Sequence, residues 1–257
     1  MRTSDGSAGD ADYGAIGATY ARFRQADLRI AAAIHAAIGD ARRIINVGAG
    51  SGSYEPTDRE VVAVEPSATM RAQRPPHLTA AIDATAENLP FLDKSFDAAM
   101  ATVTIHQWSD LPRGLSELAR VTRGPIVLLV ADPARLQDFW LKHYAPEVLA
   151  QEAQRFPAIA NVCALLGGDV RVQAVAIPLD CTDGFNEAYY GRPEMLLDPA
   201  ARLACSSWSF VTPEVAARFE GALRADLETG AWDARWGALR TQDSYDGSLR
   251  LVIGNAT

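Results

Sequence analysis

Short apolar runs alternate with helix-like segments over the first half of the chain. The runs predict strands at 44–47, 61–64, about 79–82, 96–103 and 126–131. Between the later runs lie segments with helical periodicity, most clearly over 111–121. Apolar runs that alternate with helices are typical of parallel strands buried on both faces. The pattern therefore predicts a parallel sheet that is covered by helices on both sides.

The pattern changes after Asp132. Asp132 and Pro133 are typical of a helix start, with Asp as the N-cap and Pro in the first turn. Helical segments are predicted through about residue 168 and again over 213–230, and further strands at 171–179 and 248–253. We expect the two strands to complete the sheet and the helices to form a cap.

The predicted fold is α/β and Rossmann-like, with a doubly wound, mostly parallel seven-stranded sheet and a helical cap or insertion in the C-terminal half. Residues 1–10 are small and polar and are expected to form a disordered tail. Residues 11–131 form the predicted core, with an N-terminal helix over 11–38, and residues 132–257 form the predicted cap or substrate region with the last strands. The link at 48–60 is barely long enough for a parallel crossover, so its helix is expected to be shortened or absent.

Composition and charge narrow the function classes. The 257 residues carry a net charge of −8, with 48% hydrophobic and 22% charged residues, an ordinary globular mixture. This acidic balance disfavours binding to a nucleic acid duplex. The three cysteines show neither C-x-x-C spacing nor nearby His pairs, so neither a disulfide framework nor a metal is implied. The chain shows no secretory signal and no apolar run long enough for a bilayer, so we expect a soluble cytoplasmic protein with no membrane partner.

A glycine-rich turn follows the first predicted strand. Residues 45–53 read I-N-V-G-A-G-S-G-S, and glycine permits positive φ angles and a close approach of the backbone to a ligand. Glu65, at the end of the second predicted strand, can accept hydrogen bonds from a ribose diol. Ser53 stands where a pyrophosphate-binding fingerprint has glycine. The pattern favours a ligand with one ribose and no phosphates, and a plain glycine turn with a solvated Glu is the alternative.

With these motifs the chain resembles the class I S-adenosylmethionine (SAM) dependent methyltransferases, in the type 11 branch that includes the quinone-biosynthesis C-methyltransferases. V-G-A-G-S-G matches the family's glycine motif, and V-V-A-V-E-P-S matches its second-strand motif. Residues 84–97, A-T-A-E-N-L-P-F-L-D-K-S-F-D, match the segment that borders the adenine. The resemblance covers roughly residues 40–131. It implies SAM as the cofactor, S-adenosyl-L-homocysteine (SAH) as the product, and an enzyme of class EC 2.1.1.

The resemblance also assigns residues to parts of SAM. It places Gly48, Ala49, Gly50 and Gly52 against the methionine part, Glu65 on the ribose hydroxyls, and Pro66 and Met70 near the adenine. Thr85 stands where many relatives have an Asp, and it still offers a hydroxyl beside the backbone N–H of Ala86. Val103, at the end of the fourth predicted strand, is also assigned to the cofactor.

Relatives often cover the cofactor carboxylate with N-terminal aromatic and basic residues. Tyr20 and Arg24 are the candidates here, and Tyr13 is assigned to the side of the methyl acceptor. An amphipathic helix that packs on the domain explains these three residues equally well.

His106 follows the fourth predicted strand in the segment T-I-H-Q-W. Ligands of open parallel sheets bind outside the carboxyl ends of the strands. We therefore expect His106 near the methyl group, where an imidazole suits proton removal near neutral pH. His106 is the candidate general base, and a structural hydrogen bond or a wall of the cofactor pocket is the alternative.

Aromatic residues concentrate after residue 131. Trp140, His143, Tyr144 and Phe185 are candidates to line a pocket for the methyl acceptor, because aromatic walls with a few polar groups suit a small organic molecule. An ordinary core accounts for them equally well. The segment 180–185, D-C-T-D-G-F, is interpreted as a functional loop or as a plain turn.

The predicted function is SAM-dependent methyl transfer to an oxygen, nitrogen or carbon atom of a small molecule. The sequence names neither the acceptor nor the oligomeric state. A SAM-binding enzyme that catalyses a cyclisation without methyl transfer is one alternative, and a non-catalytic SAM-binding regulator is another. A nicotinamide oxidoreductase would need pyrophosphate recognition, which Ser53 and the short crossover disfavour.

Overall fold

The computed structural model describes residues 22–256. The strands in this part of the chain are β1 (Arg43–Val47), β2 (Glu60–Val64), β3 (Ala98–Thr102), β4 (Pro125–Ala131), β5 (Arg171–Ala174), β6 (Ile177–Pro178), β7 (Ser244–Tyr245) and β8 (Leu249–Asn255). Six of them form one sheet in the order β2-β1-β3-β4-β8-β5, and β6 pairs with β7 in a small antiparallel sheet. Strands β1 to β4 pair in parallel, whereas β8 runs antiparallel to both of its neighbours.

Helices cover the sheet and build the C-terminal half. The α-helices that lie wholly within the described residues are α1 (Leu28–Ile38), α2 (Ala68–Ala72), α3 (Leu111–Val121), α4 (Pro146–Arg155), α5 (Ile159–Leu166), α6 (Pro199–Leu203), α7 (Pro213–Thr229) and α8 (Ala231–Trp236). Short 3₁₀ helices lie between several of them, among them Ile105–Gln107 and Leu136–Asp138. Asp27 caps α1 by accepting from the Arg29 N–H, so this helix begins at Leu28. The single helix predicted over 11–38 is therefore wrong in its described part, because Arg24 forms an isolated antiparallel bridge to Asp183 instead. Between residues 22 and 256, no helix has the length and apolar character that a membrane crossing requires.

The inner strands of the main sheet are buried on both faces, which confirms the prediction from the uninterrupted apolar runs, whereas the edge strand β5 is exposed. Along β4, Val127 and Leu129 belong to one hydrophobic cluster, and Ile126 and Leu128 belong to the other. Helix α1 packs into the first cluster and α3 into the second. The α/β layering and five predicted strands are thus confirmed, those at 44–47, 61–64, 96–103, 126–131 and 248–253.

The predicted third strand at 79–82 is wrong, and with it the count of seven. Ile82 forms a single parallel bridge to the end of β2, where its N–H donates to Ala63 O and its carbonyl accepts from the Glu65 N–H. The Ala84 N–H then donates to the same Ile82 carbonyl at 3.0 Å, so the chain turns away from the sheet at once. The described sheet therefore has six strands.

Two expectations for the C-terminal half need correction. The run 171–179 is split, because β8 begins at Leu249 and offers β5 no partner beyond Val175. The chain then leaves the main sheet and enters β6. Asp132 does accept a hydrogen bond from the Ala134 N–H, at 3.0 Å, but this turn leads into a 3₁₀ helix rather than an α-helix.

The link between β1 and β2 contains no helix, as its length predicts. A buried ion pair holds it instead, with Arg74 donating to both carboxylate oxygens of Glu55 at 3.0 and 2.9 Å. Asn46 in β1 donates to the same carboxylate at 3.0 Å. Arg74 also donates to the carbonyl of Thr79, so the pair joins two loops below the glycine turn.

Candidate active site

The glycine turn closes the carboxyl end of β1 against β2. The N–H groups of Gly48 and Ala49 both donate to the Val64 carbonyl, at 2.9 and 3.0 Å. Gly48 and Gly50 have φ angles of +70° and +53°, in the left-handed region that favours glycine. A Cβ atom on Gly48 would overlap the side chain of Thr104. The turn therefore presents bare backbone to the cavity beside it.

This first cavity lies at the carboxyl ends of β1, β2 and β3. Ten of the predicted cofactor residues line it: Arg24, Gly48, Ala49, Gly50, Glu65, Pro66, Met70, Thr85, Ala86 and Val103. The structure thus brings together residues that the chain scatters over 80 positions. Gly52 is the exception among the described candidates, since it does not line the cavity. Its φ of +98° and the close approach of Leu78 give it a role in the turn itself.

Glu65 lies at the end of β2 beside the glycine turn. Its Oε2 accepts from the Gly50 N–H and its Oε1 from the Ser67 N–H, both at 2.8 Å. The residue is 7% exposed. Backbone donors therefore fix the direction of the carboxylate at the wall of the cavity, where carboxylate oxygens can accept hydrogen bonds from a ligand hydroxyl.

The opposite wall of the first cavity is largely apolar. Pro66 and Met70 follow β2, and Ala86 and Trp108 supply further apolar surface. Helix α3 packs closely behind Trp108, because a Cβ atom on Gly114 would lie 2.5 Å from the indole. Bare backbone, a fixed carboxylate and an apolar wall are the features that a nucleoside with a short polar tail requires. The cavity therefore fits SAM.

An ion-pair network joins the N-terminal segment to the cap at the edge of the first cavity. The Arg24 Nε atom lies 2.5 Å from Asp183 Oδ1, and the Tyr54 hydroxyl donates to Asp183 Oδ2 at 2.7 Å. Next to this pair, the Gly184 N–H donates to the Phe23 carbonyl at 2.7 Å. Burial, followed by the charge of Asp183, raises the pKa of Tyr54. The segment 180–185 is thus more than a plain turn, because it holds Arg24 at the cavity.

His106 lies where the first cavity meets a second one. Its ring is tilted against Phe156 with the centroids 4.3 Å apart, and its Nε2 atom lies 2.9 Å from the Gln107 side-chain amide. The two cavities share Arg24, Tyr54, Val103, His106, Asp183 and Ser206. A group bound in the second cavity would therefore face His106 and the cofactor at once.

The second cavity lies between the sheet and the cap. Its walls are mostly apolar, with Leu129, Phe156, Phe185 and Leu249 among them, and its polar lining includes Glu152, Arg155, Asn186, Glu187 and Ser248. Glu187 accepts from the N–H of Ser248 at 3.0 and 3.1 Å, and also from its hydroxyl. Burial, followed by the neighbouring carboxylate of Glu152, raises the pKa of Glu187 to about 7.

The raised pKa of Glu187 makes stability depend on pH. Below the ordinary carboxyl pKa of 4.5, Glu187 is protonated in both the folded and the unfolded chain, so it makes no change to the free energy of unfolding as the pH varies there. As the pH rises towards 7, the unfolded chain ionises first and the stabilising contribution of the neutral carboxyl is lost. Glu187→Gln should therefore gain about 2 kcal/mol over the wild type between pH 5 and pH 8. Urea unfolding at both pH values measures this gain, and a constant difference would contradict it.

Three of the predicted acceptor residues lie elsewhere, whereas Phe185 lines the second cavity. Trp140 is 3% exposed and packs edge-on against Trp232, with its indole N–H donating to the Tyr190 carbonyl at 2.9 Å. Tyr144 packs edge-on against Trp140, and its hydroxyl donates to Asp226 at 2.7 Å. His143 lies against Trp236 at the surface of this aromatic cluster. Such large rings gain most when they pack together, so they form a core of the cap rather than a pocket.

Two other candidates, Tyr13 and Tyr20, lie outside the described residues. Tyr54 and Trp108 in the first cavity and Glu152 in the second are lining residues that were not predicted from the sequence. Trp108 ends the segment T-I-H-Q-W and could have been found beside His106. Tyr54 and Glu152 reach their cavities only through long-range packing, and no local pattern marks them.

Comparisons with known proteins agree with this geometry. Residues 45–127 match a family model described as a methyltransferase domain. A crystal structure from Anabaena variabilis ATCC 29413, whose name describes a methyltransferase from an antibiotic biosynthesis pathway, is 30% identical, with a TM-score of 0.84. That match covers 91% of this chain and 99% of the other. The chain belongs to the class I SAM-dependent methyltransferases. The predicted family and cofactor are confirmed, whereas the placement in the quinone-biosynthesis branch stays a prediction.

Curated methyltransferases are similar to this SAM-dependent methyltransferase over shorter stretches. The uncharacterized methyltransferase YcgJ of Bacillus subtilis (strain 168) is 28% identical over 116 residues, which are 41% of this chain and 42% of YcgJ. The uncharacterized methyltransferase Mb3374 of Mycobacterium bovis (strain ATCC BAA-935 / AF2122/97) is 40% identical over 93 residues, which are 32% of this chain and 36% of Mb3374. The chain therefore matches less than half the length of either curated relative.

Proposed function

We propose that this methyltransferase transfers the methyl group of SAM to a small molecule that binds in the second cavity. The observation that carries the proposal is that the two cavities adjoin and share His106, Val103 and the Arg24–Asp183 pair. The second cavity has the mostly apolar walls and few polar groups that suit a small organic ligand. The relative named for an antibiotic biosynthesis pathway supports a small-molecule acceptor.

The side chains of the chain hold and align the two ligands. When bound, SAM supplies a methyl group that its sulfonium already activates. The glycine turn and Glu65 would hold the methionine part and the ribose, and Pro66 and Met70 would lie beside the adenine. Alignment of two reactants in one site is worth up to about 7–11 kcal/mol of the barrier.

His106 is the group that this proposal assigns to proton removal. It follows β3 at the carboxyl edge of the sheet and lines both cavities. An acceptor hydroxyl, amine or acidic carbon must lose a proton around the methyl transfer, and an imidazole can take it at neutral pH. The carboxyl groups of Glu152 and Glu187 also line the second cavity. They do not determine whether the methylated atom is oxygen, nitrogen or carbon.

The test is mass spectrometry on purified protein incubated with methyl-labelled SAM and a small-molecule extract of the source organism. We expect a labelled product whose fragmentation identifies the methylated atom. If SAM binds tightly and several extracts yield no labelled product, methyl transfer is wrong. An unlabelled product that forms only with SAM present would then favour the cyclisation, and no product at all the non-catalytic regulator.

A pair of variants serves as the control for this assay. Glu65→Ala should weaken SAM binding at least tenfold, or about 1.4 kcal/mol, and reduce labelling accordingly. Glu60 begins β2, the strand that Glu65 follows. Glu60→Ala removes an exposed side chain that pairs with Arg43 at 2.8 Å. It should leave SAM affinity and labelling unchanged, because surface pairs contribute little.

A further inference from the structure

The second cavity has a distinct distribution of charge. Arg24 and Asp183 pair with each other where the two cavities meet. The other charged side chains in its lining are Glu152, Arg155 and Glu187. Arg155 donates to the Ser206 hydroxyl at 3.0 Å, and its guanidinium lies 4.6 Å from the ring centre of Phe210. Beyond the Arg24–Asp183 pair, the described lining therefore holds one guanidinium and two carboxyl groups, of which Glu187 has its pKa raised to about 7.

The two carboxylates differ in what they offer a ligand. Both oxygens of Glu187 accept from Ser248, so this side chain fastens the start of β8 to the cap. The hydrogen bonds that described residues donate to Glu152 end on Oε2 alone. Glu152 lines the cavity and is therefore only partly buried. Its Oε1 is the carboxylate oxygen that remains for a bound molecule.

A chain of hydrogen bonds fixes the direction of Glu152. The indole N–H of Trp208 can only donate, and it donates to Asn186 Oδ1 at 2.9 Å. The amide of Asn186 must then turn its Nδ2 towards Glu152 Oε2, at 2.8 Å, and towards Ser207 Oγ, at 3.0 Å. The Ser207 hydroxyl completes the network by donating to the same Oε2 at 3.2 Å. Asn186 and Ser207 are each 2% exposed, so the carboxylate is held in one orientation before any ligand binds.

A carboxylate in an apolar cavity is costly unless a donor satisfies it, and a cationic donor satisfies it best. From the position of Glu152 we propose, on the basis of the proposed function, that the second cavity selects a small amine. The basic nitrogen of this molecule donates to Glu152 Oε1, and its apolar body lies against Phe156, Phe185 and Leu129. Burial raises the pKa of Glu152, whereas the hydrogen bonds of Asn186 and Ser207 and the nearby charges of Arg155 and Arg24 lower it. A bound ammonium group would act in the same direction as these donors and favour the ionised carboxylate.

Calorimetric titration of the SAH-loaded protein tests this selectivity. The probes are butylamine, phenethylamine and tryptamine at pH 7.5, each with the alcohol and the carboxylate that carry the same apolar body. We expect at least one amine to bind about tenfold more tightly than its alcohol and its carboxylate, since a charged hydrogen bond of this kind is worth that ratio. Equal binding of an alcohol, tighter binding of a carboxylate by way of Arg155, or no binding of any amine would each overturn the proposal.

Two variants of residues in α4 test whether Glu152 causes the preference for the amine. Glu152→Gln keeps the shape of the side chain and should remove the preference for the amine while SAH affinity stays the same. Glu147→Gln is the matched control, because Glu147 lies on the same helix and pairs with exposed Arg218 at 2.7 Å. An amine preference that persists in Glu152→Gln would overturn the assignment of this residue. If that variant fails to fold, the wild-type series still decides the proposal.

The SAH titration separates this inference from the proposed function. If SAH fails to bind the wild type, the proposed methyl transfer fails and the amine site fails with it. If SAH binds and the amines show no advantage, only the inference about the second cavity is wrong.

Discussion

Replacing Gly48 by alanine should weaken SAM binding about 100-fold and lower the free energy of unfolding by about 4 kcal/mol. The added Cβ would overlap the side chain of Thr104, including its Cβ, which cannot move without the backbone. The φ of +70° adds the strain of a left-handed conformation. Relief of the overlap would shift the turn that donates to Val64 and lines the first cavity. Urea unfolding and calorimetric titration with SAH measure the two effects.

Gly39 provides the matched control for this substitution. Its φ is +66°, almost the same, but a Cβ there would meet nothing within 4 Å. The backbone of Gly39, with φ +66° and ψ −140°, also favours glycine, so Gly39→Ala should cost only this strain, about 1–3 kcal/mol, and leave SAH affinity unchanged. The double variant with Thr104→Gly should recover part of what Gly48→Ala loses. If Gly48→Ala binds SAH as well as Gly39→Ala does, the glycine turn does not bind the cofactor.

Removal of the His106 imidazole should lower turnover by about 10²–10⁴-fold while SAM affinity stays the same. His106 lies where the two cavities meet, and its contact with Phe156 at 4.3 Å holds the ring there. His106→Ala removes the base, and His106→Gln removes it while keeping hydrogen-bonding capacity. Both variants should lose incorporation of labelled methyl groups in the extract assay.

The glutamine variant distinguishes a base from a wall of the pocket. If His106→Gln retains turnover, the side chain only fills space or donates a hydrogen bond. Added imidazole should restore part of the activity of His106→Ala if the missing function is proton removal. His77→Gln is the control, since His77 is an exposed residue outside both cavities.

The elements that the sequence predicted well are those with a strong local pattern. Strand β4 is apolar throughout, and α3 covers the predicted residues 111–121 because Asp110 caps it with Pro112 in the first turn. The glycine spacing and Glu65 likewise identified the first cavity, since positive φ angles and a strand-end carboxylate leave a signature in a few consecutive residues. The short link between β1 and β2 followed from its length alone.

The errors fall where distant parts of the chain decide the structure. The segment 79–82 has strand-like residues, but the turn at Ala84 leaves one bridging residue. The split of 171–179 depends on where β8 begins, which lies far along the chain. Trp140 and Tyr144 looked like pocket walls, but their partners Trp232 and Asp226 come from the last quarter of the chain. Side-chain partners at such distances leave no trace in local periodicity.

The ion-pair network of Asp183 also bears on when the site forms during folding. Its contacts join residues that are 159 and 129 positions apart, from Arg24 and from Tyr54. Contacts of such separation carry the largest loop-closure entropy and slow the folding of a chain. The first cavity is therefore complete only after the C-terminal half has docked on the core. A ligand of that cavity binds the finished chain selectively and shifts the folding equilibrium towards it by mass action.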